Sequence, residues 1–110
     1  MPKPNFNYIK QLSNGDLAFE NKLLEVLARE LPIEIKEFEN NITSGKLTDA
    51  ASNVHKLKHK ISLLGMQESY LIAQDFEENL KNNRTDLHKV FVQILKKMIT
   101  FLNHIENHRI

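Results

Sequence analysis

Val54-His55-Lys56-Leu57-Lys58-His59-Lys60-Ile61-Ser62-Leu63-Leu64-Gly65 is the stretch on which the fold turns. Val54, Leu57, Ile61 and Leu64 recur at three- and four-residue steps, the spacing that lines one face of an α-helix. Gly65 follows directly and can take the left-handed conformation that stops a helix. Upstream, Leu47 and Ala50 prolong the stripe, so a helix is predicted from about Leu47 to Leu64.

The flanking segments share this periodicity. Between Asp16 and about Ile42 the stripe is Leu24, Leu27, Leu31, Ile35, Phe38 and Ile42, with Asp16 placed to cap the first turn. Pro32 interrupts that run and removes one main-chain donor, which predicts a kink or a join between two coaxial helices near Glu30. From about Met66 to Lys81 the stripe is Ser69, Ile72, Ala73, Phe76 and Leu80. From Asp86 to about Asn107 two stripes run side by side, one through Phe91, Ile94 and Met98 and one through Leu95, Ile99 and Leu102. A face that wide is expected to pack against two neighbours. Short breaks at Gly15, Gly45, Gly65 and Asn82-Asn83 separate the segments, and no stretch alternates with the two-residue period of a strand. The expected fold is all-α: an antiparallel up-down-up-down four-helix bundle over residues 1–110, one domain, with a short extra helix around Tyr8 to Leu12.

Composition removes several function classes. With no cysteine, thiolate metal sites, disulfides and cysteine nucleophiles are excluded. No apolar run approaches the roughly 20 residues of a membrane span, and Met1-Pro2-Lys3-Pro4-Asn5-Phe6 has no signal-peptide core, so a cytoplasmic location without membrane contact is expected. Fifteen Lys and Arg against 14 Asp and Glu give a net charge of +1, without the basic excess of a general nucleic-acid binder. The Lys56–Lys60 stretch also lacks the aromatic platform and helix-turn-helix spacing that nucleic-acid recognition uses.

The balance hides a local excess. From Val54 to Leu64 stand three lysines, two histidines and no acid. His55, Lys58, His59 and Ser62 fall about one turn apart on a face beside the apolar stripe. Like charges so spaced cost a helix a few tenths of a kcal/mol per pair, which suits a face that receives an anion. A neutral imidazole is a competent nucleophile near neutral pH, and a lysine three residues on can balance the charge of a phosphoryl group placed on it.

His55, then Leu57-Lys58, then Gly65 ten positions on, resembles the histidine-containing phosphotransfer (HPt) domain of multistep two-component phosphorelays. Glu77, 22 positions after His55, matches a family Glu or Gln. Leu12-Ser13-Asn14-Gly15-Asp16 and Glu30-Leu31-Pro32 are also typical of that family. The resemblance implies that His55 is the phosphoacceptor, through Nε2, that Lys58 balances the phosphate, and that Glu77 orients the ring. It implies a carrier without kinase or phosphatase activity of its own. It passes phosphoryl groups between receiver domains of response regulators or hybrid histidine kinases, which supply the magnesium; the carrier itself needs no cofactor. Lys56, His59, Lys60, Ser62, Tyr8 and Ile9 are the expected partner-binding residues, Gly65 is structural, and Phe6 and Leu12 are expected to lid the end of the bundle.

One residue departs from the pattern: the family glycine after the lysine is His59, whose bulk stands one turn from His55. Two other readings follow. An HPt-like bundle with His59 in that place can bind receivers without transferring phosphate. A metal-binding bundle can use the two i, i+4 histidine pairs, His55/His59 and His104/His108, although the second lacks the glutamate of a zincin motif and suits a helix C-terminus electrostatically. No resident metal is expected. The Met1 start and full set of helices point to a free-standing protein, and a monomer is expected.

Overall fold

The computed structural model describes residues 3–108, with side chains to residue 105. Five helices follow one another: α1 (Asn7–Ser13), α2 (Leu17–Thr43), α3 (Leu47–Leu63), α4 (Gln67–Lys81) and α5 (His88–His108). No strand occurs among the described residues. α3 packs against α2 and α4, and α5 against the same two, so the four long helices close a ring with α3 and α5 on opposite corners. The wide apolar face of α5 thus meets two neighbours, as its double stripe requires. α1 lies on α2.

The stripes form the core. Leu24, Leu27, Leu31 and Phe38 of α2 meet Ala50, Val54, Leu57 and Ile61 of α3, Ala73, Phe76 and Leu80 of α4, and Phe91, Ile94 and Met98 of α5, all buried. Phe38 is central. Its ring lies edge-on to Phe76 at 6.0 Å and to Phe91 at 5.3 Å. Pro32 leaves one bond of the ladder unmade, yet α2 continues through it as one helix of 27 residues. The expected join does not form, because the apolar stripe on both sides of Pro32 is buried against the same neighbours.

Each helix boundary has a local cause. Asp16 accepts a hydrogen bond from the Phe19 N–H at 3.0 Å and caps α2. α2, α3 and α4 end on one device. The N–H two residues past the cap reaches back five residues, Lys46 to Asn41 O at 2.8 Å, Met66 to Ile61 O at 3.3 Å and Arg84 to Asn79 O at 2.8 Å. This bend needs a left-handed residue, supplied by Gly45, Gly65 and, in the third case, Asn83.

Gly65 has a further constraint. The Asn5 N–H donates to Leu64 O at 2.8 Å, and a Cβ at position 65 would stand 2.6 Å from Asn5 Oδ1. Gly65→Ala is expected to cost about 1–3 kcal/mol, measured by denaturant unfolding, because the left-handed φ is strained for any side chain. It should also loosen the N-terminal lead, read as faster amide exchange at Asn5 and Phe6. Phe6 lids the bundle as expected, its ring edge-on to Phe101 at 4.9 Å.

Candidate functional site

His55 stands on α3 with its side chain 55% exposed, and the opposing α4 brings up Glu77. The His55 Nδ1 lies 3.3 Å from Glu77 Oε2 and 3.4 Å from Oε1. An ionised carboxylate only accepts hydrogen bonds, so this contact requires the proton on Nδ1 and leaves the Nε2 lone pair as the open nucleophilic atom.

Glu77 is itself anchored. Lys58 donates to Oε1 at 3.0 Å, and Lys81 lies 3.4 Å from Oε2. Burial disfavours the charge of Glu77, but the hydrogen bond and charge of Lys58, and after them those of His55, outweigh it and hold the carboxyl below its ordinary value. Lys81 in turn is raised by its hydrogen bond to Glu77 and the nearby charges of Glu78 and Glu77. A depressed carboxyl contributes stability that is present above the unfolded-state value near 4.5 and is lost as pH falls through the lower folded value. Glu77→Gln should therefore flatten the acid limb of a stability–pH curve measured between pH 6 and 3.

The structure alters the expected roles of several residues. Lys58 is buried, bonded to Glu77, with Nζ 5.6 Å from the Tyr70 ring centre. It is a fixed strut under Glu77 rather than a mobile charge. Lys60 was expected to steer a partner; its ammonium sits instead between Glu34 at 2.7 Å and Glu30 at 3.2 Å, binding α3 to α2 with its charge spent there. Ile9 was expected on the docking surface and is fully buried. On a helix as short as α1 only one side can face water: Tyr8 and Leu12 take it, while Ile9 and Ser13 face inward. Leu12, expected to lid the bundle, is accordingly 46% exposed. Lys56 and His59 are exposed and Ser62 is half-buried, all on the helix that carries His55. The His59 and His55 ring centres are 5.2 Å apart with planes at 89°.

Three contributors escaped the sequence reading: Tyr70, Lys81 and the Glu30/Glu34 pair. Lys81 alone carried a usable signal, its i+4 spacing from Glu77 on one helix.

A family model described as the Hpt domain matches residues 22–105. The chain belongs to the Hpt domain family. Hpt domains are helical-bundle carriers of histidine phosphotransfer in two-component phosphorelays, where they interact with receiver domains. The match begins early in α2 and ends near the close of α5, so it covers all four helices of the ring. No curated protein and no solved structure matches the chain significantly. No helix among the described residues is long and apolar enough to cross a membrane.

Proposed function

We propose that this Hpt domain carries phosphoryl groups on His55 Nε2, taking them from the aspartyl phosphate of one receiver domain and passing them to the aspartate of another. The observation that carries this reading is the contact of the exposed His55 with Glu77 through Nδ1. It makes Nε2 the atom a receiver meets. In the first transfer the Nε2 lone pair attacks phosphorus, the P–O bond to the aspartate breaks, and the aspartate leaves as a carboxylate. Positive charge develops on the imidazole, and Glu77, hydrogen-bonded to Nδ1–H, stabilises it. The reverse sequence delivers the phosphoryl group to the second receiver.

Charge balance supports the same reading. Lys58 and Lys81 both flank the carboxylate of Glu77, with Glu78 also on Lys81, so two ammonium groups stand on the Glu77 side of the ring that gains a dianion. Lys56, His59 and Ser62, with Tyr8 on α1, are the residues proposed to meet the receiver. The receiver supplies the magnesium ion and most of the catalytic groups. The carrier, a single domain acting as a monomer in the cytoplasm, has no kinase or phosphatase activity of its own and does not bind nucleic acid. The ring packing and three-residue connections between α2, α3 and α4 support the up-down-up-down arrangement that puts Glu77 opposite His55.

One observation favours a second reading. The His59 ring stands against His55, where an approaching receiver needs room. Under that reading the bundle binds receivers without accepting phosphate. Incubation with a receiver phosphorylated on its aspartate separates the two. Acid-labile label is expected on the wild-type chain and none on His55→Ala. Label that never leaves the receiver supports the binding module, and label retained in His55→Ala refutes the role of His55.

A further inference from the structure

We propose that His55 and His59 together form a two-imidazole site for a divalent transition ion of the zinc class, and that an ion held there blocks His55 from accepting a phosphoryl group. The blocking half of this inference rests on His55 being the acceptor; the site itself does not.

The spacing of the two rings is compatible with chelation. The two histidines stand at i and i+4 on one exposed face of α3, the spacing at which a helix presents two imidazoles to one ion. Their ring centres are 5.2 Å apart. Two imidazoles on one tetrahedral zinc, at Zn–N distances of about 2.0–2.1 Å, have ring centres about 5 Å apart.

The surroundings of His55 fit the same ligand. Histidines that bind metal commonly donate their second ring N–H to a carboxylate, which fixes the tautomer and raises the basicity of the ligating nitrogen. Glu77 stands in that position at Nδ1. The atom left for the metal is Nε2, the same atom that attacks phosphorus, so the two occupants exclude each other.

The class of ion follows from the donors. Magnesium and calcium need several oxygen ligands, whereas imidazole suits zinc, copper and nickel. Among the described residues no group of three or more His, Cys, Asp or Glu is placed to hold an ion. Water therefore completes the coordination, while Lys58 and Lys81 nearby are balanced by Glu77 and Glu78. With only two protein ligands the ion is exchangeable: it acts as a brake on the carrier and not as a part of the fold. The site also gives a chemical role to His59, which stands where the family pattern has glycine.

Zinc chloride titrated into the full chain, followed by calorimetry and by histidine ring NMR, tests this directly. Wild type should bind one ion, with shifts at His55 and His59. His59→Gly should weaken binding by at least about tenfold, because one imidazole loses the effective concentration of the second. His104→Gln should bind as wild type does. The rate of phosphorylation by the small-molecule donor phosphoramidate, taken as a ratio with and without zinc, should fall in wild type and stay near one in His59→Gly. Unchanged affinity in His59→Gly, or shifts at His104 in place of His55 and His59, would overturn the site. Zinc bound at the pair without slowing phosphorylation would overturn the brake. A chain that binds zinc through the pair but is never phosphorylated, with or without the metal, counts against the carrier function and leaves the site standing.

Discussion

Glu77→Ala is expected to lower stability by about 3–5 kcal/mol and to slow phosphoryl acceptance at the same time. The first effect follows from Lys58. Its Nζ is 3.0 Å from Glu77 Oε1, and both side chains are only 10% exposed. Removing one partner of a buried pair leaves an uncompensated charge, and that penalty is far larger than the net worth of the pair. The second effect follows from His55, which loses the acceptor that fixes its proton on Nδ1. Loss of such an orienting partner commonly costs about 10–100-fold.

A double variant separates the two effects. Lys58→Met with Glu77→Leu replaces the pair by apolar groups of similar size and should recover most of the stability. It should not recover the rate. Chemical unfolding reads the first quantity and phosphoramidate labelling the second. If the double variant regains both, Glu77 serves packing alone.

The other large effect lies in the core. Phe38→Ala should cost about 3–5 kcal/mol, the usual range for emptying a buried aromatic site. Phe38 is fully buried at the centre of the bundle, where Phe76, Phe91 and His88 all stand against its ring. These neighbours come from α4 and from α5, so collapse around the cavity on one side opens it on the other. Domains of this size have about 5–15 kcal/mol to lose, so the variant should melt at a visibly lower temperature while staying folded at low temperature. A loss below about 1 kcal/mol would mean that the three rings repack without Phe38.

The two losses differ in how visible they were in the sequence. Phe38, Phe76 and Phe91 lie on the helical stripes, and a three- or four-residue period reports burial because one side of a helix must face its neighbours. Helix ends were legible for an equally local reason, as at Asp16 and Gly65. The site was legible where a motif carried it: His55, Glu77 and the separation of 22 positions between them. What periodicity does not encode is which partner a charged side chain chooses. Lys58 lies one position from Leu57 and four from Val54, at the edge of the buried stripe, and that edge position draws it inward to Glu77. Lys60 finds its acids on α2, 26 and 30 positions back, a pairing set by the packing of α3 on α2. On α1 a helix of 7 residues has too few turns to show a stripe, so Ile9 could not be told from its exposed neighbour Tyr8.

The claim on which the account rests is that the phosphoryl group forms its bond to Nε2 of His55 while Nδ1 keeps its proton toward Glu77. The direct measurement is a proton–nitrogen correlation spectrum of the chain labelled with ¹⁵N-histidine, recorded before and after phosphorylation by phosphoramidate. One ring, that of His55, is expected to show phosphorus coupling, at Nε2, with Nδ1 still protonated. Phosphorus coupled to Nδ1 of His55, or to a ring nitrogen of His59, His88, His104 or His108, would contradict it.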